Sequence, residues 1–131
     1  DQWPAMRFDR PLGVGGVGGH GPIRYTVEAY ELARAIRFRF TAPAGFDGTH
    51  AFDVVPVSDD RTVLRHTIDM RVRGWAILSW PAVYRPLHDA LVEDGLDRAE
   101  LALGQVPRGA RWSPWVRLLR SVLGGRRSGR R

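Results

Sequence analysis

The chain contains no cysteine, no lysine and no asparagine. Without cysteine there is no disulfide framework and no thiolate to hold a metal. No apolar run reaches the roughly 18 residues that would read as a membrane-spanning helix. No secretory leader pattern is visible. The expected location is the cytoplasm, with a peripheral membrane position as the alternative. Ser58, Ser79, Ser113, Ser121 and Ser128 stand in no nucleophile-elbow sequence, which leaves hydrolase chemistry without a motif.

The missing lysine makes every one of the 20 basic residues an arginine, and the net charge is +6. Position matters more than the total. Residues 105–131 carry Arg108, Arg111, Arg117, Arg120, Arg126, Arg127, Arg130 and Arg131 and no acid. The 14 acids therefore outnumber the arginines in the rest of the chain, and the basicity belongs to the C-terminal segment. Arginines without a base-reading motif predict only salt-labile, nonspecific contact with nucleic acid, so no specific nucleic-acid partner is expected.

At 131 residues the chain is long enough for one modest core. Residues 13–21, GVGGVGGHG, fit a GxGxxG spacing. A dinucleotide site needs a helix to follow that spacing. Here Pro22 and an alternating stretch follow, so the glycines read as a bend between strands.

Ile23, Tyr25, Val27 and Ala29 share one face of a strand, and Ile36, Phe38 and Phe40 share one face of the next. Joining them through Glu31–Arg34 keeps the apolar sets together and sets Glu28 opposite Arg37. In the following hairpin, a loop over 57–61 pairs Val54 with Leu64, Phe52 with His66 and Asp53 with Arg65. That register groups apolar residues with apolar and charges with charges, so it is favoured over one that turns Asp53 inward. His50, Phe52, Val54, Leu64, His66, Ile68 and Met70 then line one face.

Gly74 ends the strands, and residues 75–103 read as helical. Pro81 and Pro86 interrupt that stretch, which predicts a short or kinked turn over 76–85 and a regular helix from Pro86. Its stripe is Leu87, Leu91 and Arg98, joined by Ala90, Leu101 and Ala102. Gly104 is a natural stop. Ser113-Pro114 signals a second helix start. Trp115, Leu118, Leu119 and Val122 recur there at i, i+3, i+4 and i+7, with Arg117, Arg120 and Ser121 on the other side. Residues 125–131, GRRSGRR, read as a disordered tail.

Strands followed by a long helix, carried by GPIRYTVEAYE, the FRF strand, GFDGTHAFDVVPV, TVLRHTIDMRVRG and RPLHDALVEDGLDRAE, resemble the START-like (SRPBCC, helix-grip) superfamily. Within it they look like a bacterial, polyketide-cyclase-like branch. The resemblance covers about residues 3–104 and includes no catalytic signature. It implies an α+β fold: a curved antiparallel sheet packed on a long C-terminal helix, residues 1–104, followed by a linker, a short basic amphipathic helix and the tail, residues 105–131. The superfamily opens with a strand and two short helices, which would already be complete before Asp1. The resemblance therefore implies either a truncated chain or a cavity open on one side.

The function implied is binding of a small hydrophobic molecule (a lipid, polyketide or aromatic metabolite) in a cavity between sheet and helix. The lining expected is Tyr25, Phe38, Phe52, His66, Ile68, Met70, Tyr84, Leu87, His88 and Leu91. The bland account of the same aromatics is core packing. His66 or His88 as a general base would make the chain a cyclase- or dehydratase-like enzyme instead, but no catalytic residue is assigned. Metal binding needs three or four donors at short distance. His50, His66, His88 and Asp94 could supply them only if the fold gathers them, and no metal or cofactor is expected. Residues 113–131 are a candidate contact with an anionic membrane surface or a partner through Trp115, Leu118, Leu119, Val122, Arg117 and Arg120. An open sheet edge would also suit a homodimer.

Overall fold

Period-two alternation over residues 23–72 builds most of an antiparallel meander. The computed structural model describes residues 6–107, 109 and 111–124. Among them are six strands: β1 (Arg7–Phe8), β2 (Val17–His20), β3 (Ile23–Glu31), β4 (Ala35–Ala42), β5 (Phe46–Ser58) and β6 (Arg61–Val72). They form one curved sheet in the order β1-β2-β3-β4-β5-β6. The helical elements are α1 (Ala76–Ser79), a π-helical turn (Trp80–Tyr84), α2 (Arg85–Ala102) and α3 (Pro114–Gly124). The chain divides into two compact units, one ending at Ile77 and the other beginning at Leu78. The α+β class follows directly.

In the first unit, the glycine-rich segment does more than bend. It contains β2, which pairs with β1 on one side and β3 on the other. Glycine is what allows this. A Cβ on Gly18 would collide with the Arg7 carbonyl and the Phe8 ring, and one on Gly19 would collide with the Ile23 carbonyl. Gly19 also holds φ at +152°, which side-chain-bearing residues rarely adopt. β1 is short, holding only Arg7 and Phe8.

The β3–β4 register agrees with the alternation where it matters, at Tyr25↔Phe40 and Val27↔Phe38. Nearer the turn it is displaced by one: Ala29 faces Arg37, and Glu31 faces Ala35. The turn closes over three residues, with Ala33 at φ +59°, and an irregularity between Val27 and Ala29 absorbs the difference. Glu28 therefore does not face Arg37. Its carboxylate accepts from Arg39 at 2.7 Å, and Ala29 is exposed although its strand neighbours Tyr25 and Val27 are each 1% exposed.

The β5–β6 hairpin has Val54↔Leu64, Phe52↔His66 and Asp53↔Arg65, as the charge and apolar matching predicts. Its tip is tighter than a five-residue loop. A shift between Pro56 and Ser58 lets Ser58 face Arg61 across a turn of Asp59 and Asp60.

The second unit is helical. Proline at 81 has no N–H to donate, and the chain accommodates it with a wider turn. The Arg85 N–H bonds the Trp80 carbonyl, five residues back. The helix end is closed by Gly104 at φ +73°. The Gln105 N–H reaches the Glu100 carbonyl at 2.9 Å and the Gly104 N–H reaches that of Leu101 at 3.0 Å, a glycine cap of the Schellman type. The expected α2 stripe is only half right. Ala90 is buried, and Leu87 and Leu91 are half-buried, but Arg98, Leu101 and Ala102 are exposed. Past Gly95 the sheltered side runs instead through Leu96, Asp97 and Ala99. Ser113 caps α3 as expected: its hydroxyl accepts the Val116 N–H at 3.2 Å. The expected tail over 125–131 lies outside the described residues.

Candidate functional site

The sheet collects its rings on one face. β3 contributes Tyr25, β4 Phe38 and Phe40, β5 Phe46, His50 and Phe52, and β6 His66. Alternation puts these on the same side of each strand, and antiparallel pairing brings them into contact. His50 sits at the centre. Its ring centroid is 4.5 Å from Tyr25, 4.8 Å from Phe38, 5.3 Å from Phe40 and 5.7 Å from His66. Phe52 continues the row, 4.6 Å from His66, and Phe8 from β1 stacks on Phe38 at 5.7 Å. These are offset and tilted geometries that aromatic rings favour.

Burial falls off along the row. Tyr25, Phe38 and His50 are 1%, 3% and 3% exposed, while Phe52, His66, Ile68 and Met70 are half-buried. Ile68 lies directly across from His50, and Met70 across from Gly48. The predicted residues of the sheet, Tyr25, Phe38, Phe52, His66, Ile68 and Met70, thus form one continuous surface. His20 belongs to it as well, although sequence reasoning passed over it inside the glycine run. It is 9% exposed, and its Nε2 hydrogen-bonds the Tyr25 hydroxyl. The signal was there: a lone imidazole at the end of a glycine stretch, five residues before a tyrosine across a tight turn.

Burial raises the Tyr25 phenol pKa above its ordinary value of 10.0, so the ring stays neutral at physiological pH. This face is therefore largely apolar with imidazole nitrogens set into it, and imidazole can donate or accept a hydrogen bond. Within this unit, His50 and His66 are the neighbouring imidazoles.

In the second unit, Tyr84, Leu87, His88 and Leu91 are half-buried and follow one another along a helical face. His88 lies 6.0 Å from the Trp80 ring, and its Nδ1–H donates to Asp89 at 3.1 Å. Arg85 and Asp89 approach to 3.7 Å, as the i, i+4 spacing suggests. Asp94 has a role the sequence did not reveal. Its carboxylate accepts the Trp112 indole N–H at 3.0 Å and Arg120 at 3.3 Å, and the Arg120 guanidinium lies 3.4 Å from the centre of the Trp112 ring. The Trp115 indole N–H donates to the Ala82 carbonyl at 2.7 Å. Arg120, expected on the polar side of α3, thus points toward α2. Val116 is the buried residue of α3, Leu119 is half-buried, and Trp115, Leu118, Val122 and Arg117 are exposed.

Comparison with protein-family models, with curated proteins and with solved structures finds no match. Among the described residues, no helix is long and apolar enough to cross a membrane.

Proposed function

We infer that the chain binds a small hydrophobic molecule (a lipid, polyketide or aromatic metabolite) against the ring-lined face of its sheet. The observation that carries this reading is the unbroken row from Tyr25 through His50 and His66 to Phe52. It grades from buried at one end to half-buried at the other, so the outer rings have apolar surface left to cover. An apolar surface bearing a few polar groups is how small-molecule sites combine affinity with orientation. Removing apolar area from water supplies about 25 cal/mol per Å², and the His66 imidazole would hold a hydroxyl or carbonyl of the ligand. A meander of strands followed by a long helix supports the START-like, helix-grip reading, in which such a face is a ligand wall.

The test is saturable binding of an apolar fluorescent dye by the full chain, together with native mass spectrometry for a copurified small molecule. Phe52→Ala should weaken dye binding about tenfold or more while the protein remains folded, because the half-buried ring contributes more to the ligand than to the core. No copurified ligand and no saturable dye binding would end this reading. A second reading, proton transfer by His88, draws on the Asp89 carboxylate that fixes one of its ring nitrogens. It expects His88→Ala to abolish turnover of a bound polyketide-like substrate without loss of binding.

A further inference from the structure

The apolar arc of α3 is wider than the face it docks. Along the helix, Val116, Leu119 and Arg120 turn toward α2, where Arg120 meets Asp94. Trp115, Leu118 and Val122 are 48%, 51% and 55% exposed. At about 100° per residue they fall within a sector of roughly 60°, so they form one ridge along the helix. Trp115 sits at its inner border, with its indole N–H held by the Ala82 carbonyl. Arg117 is exposed on the flank of the ridge, and Arg111 is exposed just before the helix. In sequence, residues 105–131 hold eight arginines and no acid.

Three half-exposed side chains fall well short of the roughly 800 Å² that each partner brings to a stable protein interface. A lipid surface needs no matching shape. It accepts a narrow apolar ridge at the boundary of headgroup and acyl chain, favours tryptophan at that depth, and attracts arginine when the headgroups are anionic.

We propose that α3 is an in-plane anchor, with the Trp115, Leu118 and Val122 ridge seated in an anionic membrane surface and the flanking arginines on its headgroups. The anchor does not depend on the ligand reading of the sheet. Its docked side stays on α2, so the second unit reaches the membrane without α3 letting go.

The experiment is cosedimentation of the full chain with vesicles of phosphatidylcholine alone and with vesicles in which about a third of the lipid is phosphatidylglycerol. Wild type should pellet with the anionic vesicles and stay in the supernatant with the neutral ones. The double variant Leu118→Glu, Val122→Glu should lose binding to the anionic vesicles about tenfold or more. Leu118→Gln with Val122→Gln, which adds no negative charge, should lose nearly as much. Both positions are exposed, so circular dichroism should report an unchanged fold. Wild type remaining in the supernatant with anionic vesicles would overturn the proposal. So would glutamine variants that bind as wild type does, because attraction would then come from the arginines alone, as it would for any polyanion, including nucleic acid.

Discussion

Tyr25 offers the sharpest check on the sheet. It is 1% exposed, its hydroxyl bonds His20, and its ring touches Phe38, Phe40 and His50. Tyr25→Phe keeps those ring contacts and removes one hydrogen bond, which contributes about 1 kcal/mol net. For a chain of this size that is a fall of about 3–5 °C in Tm. Tyr25→Ala removes the ring as well, and cavity formation raises the loss to about 3–5 kcal/mol. Alkaline pH separates burial from packing. Burial raises the phenol's pKa in the folded state. Below the ordinary phenol value both states hold the proton, and the contribution is fully present. Above it, the unfolded chain ionises while the folded one resists, so stability falls as pH rises. The extra slope approaches about 1.4 kcal/mol per pH unit for this one proton. Urea midpoints for wild type and Tyr25→Phe, measured at several values from pH 8 to about pH 11, should converge above pH 10 as wild type loses its advantage. Midpoints that fall in parallel would mean that the phenol titrates as freely in the folded chain as in the unfolded one, and the buried centre described above would be wrong.

Gly19→Ala should cost several kcal/mol or prevent folding, because its Cβ meets the Ile23 carbonyl and its φ is unfavourable; a thermal melt like that of wild type would show that β2 is not so closely paired. Asp94→Ala removes the acceptor shared by Trp112 and Arg120. Charge-assisted hydrogen bonds of this kind contribute about 1.5–3 kcal/mol when well shielded. Limited proteolysis between α2 and α3 should accelerate in this variant while the sheet's amide exchange stays unchanged. Asp9 accepts from Arg10 and from the Val17 N–H, which lowers its pKa below 3.8. What it contributes is present above that value and lost as pH falls through the lower folded value, so the Val17 amide resonance should shift only in that more acidic range; a shift centred at 3.8 or higher would contradict the contact.

The sequence made the β5–β6 register legible because two patterns agreed there: apolar residues met apolar ones, and Asp53 met Arg65. The tip was less legible, since a residue that slips out of pairing at Val57 leaves no mark on the alternation beyond it. The same is true of Glu28. Its displacement is set by the αL turn at Ala33, and alanine is not a residue whose identity announces positive φ. β2 went unseen because glycine has no side chain to alternate, and close approach of neighbouring backbones becomes visible only once the neighbours are in place. On the candidate surface, period two sufficed to bring Tyr25, Phe38, Phe52, His66, Ile68 and Met70 to one side. The Asp94 hub was hidden for a different reason. Its partners lie 18 and 26 residues away, beyond any local spacing.

Pairing between β4 and β5 ends at Ala35↔Asp53, and the Val54 N–H makes a final bond to the Arg34 carbonyl at 2.7 Å. Beyond that point, from Val55 to Val63, the hairpin is a lone ribbon overhanging the rest of the sheet. Two strands without a third are marginal in water, so hydrogen exchange should begin at this cantilever and travel inward from it. The same slack makes Asp59-Asp60 the place where a foreign peptide could be spliced in with the least disturbance to the rings below.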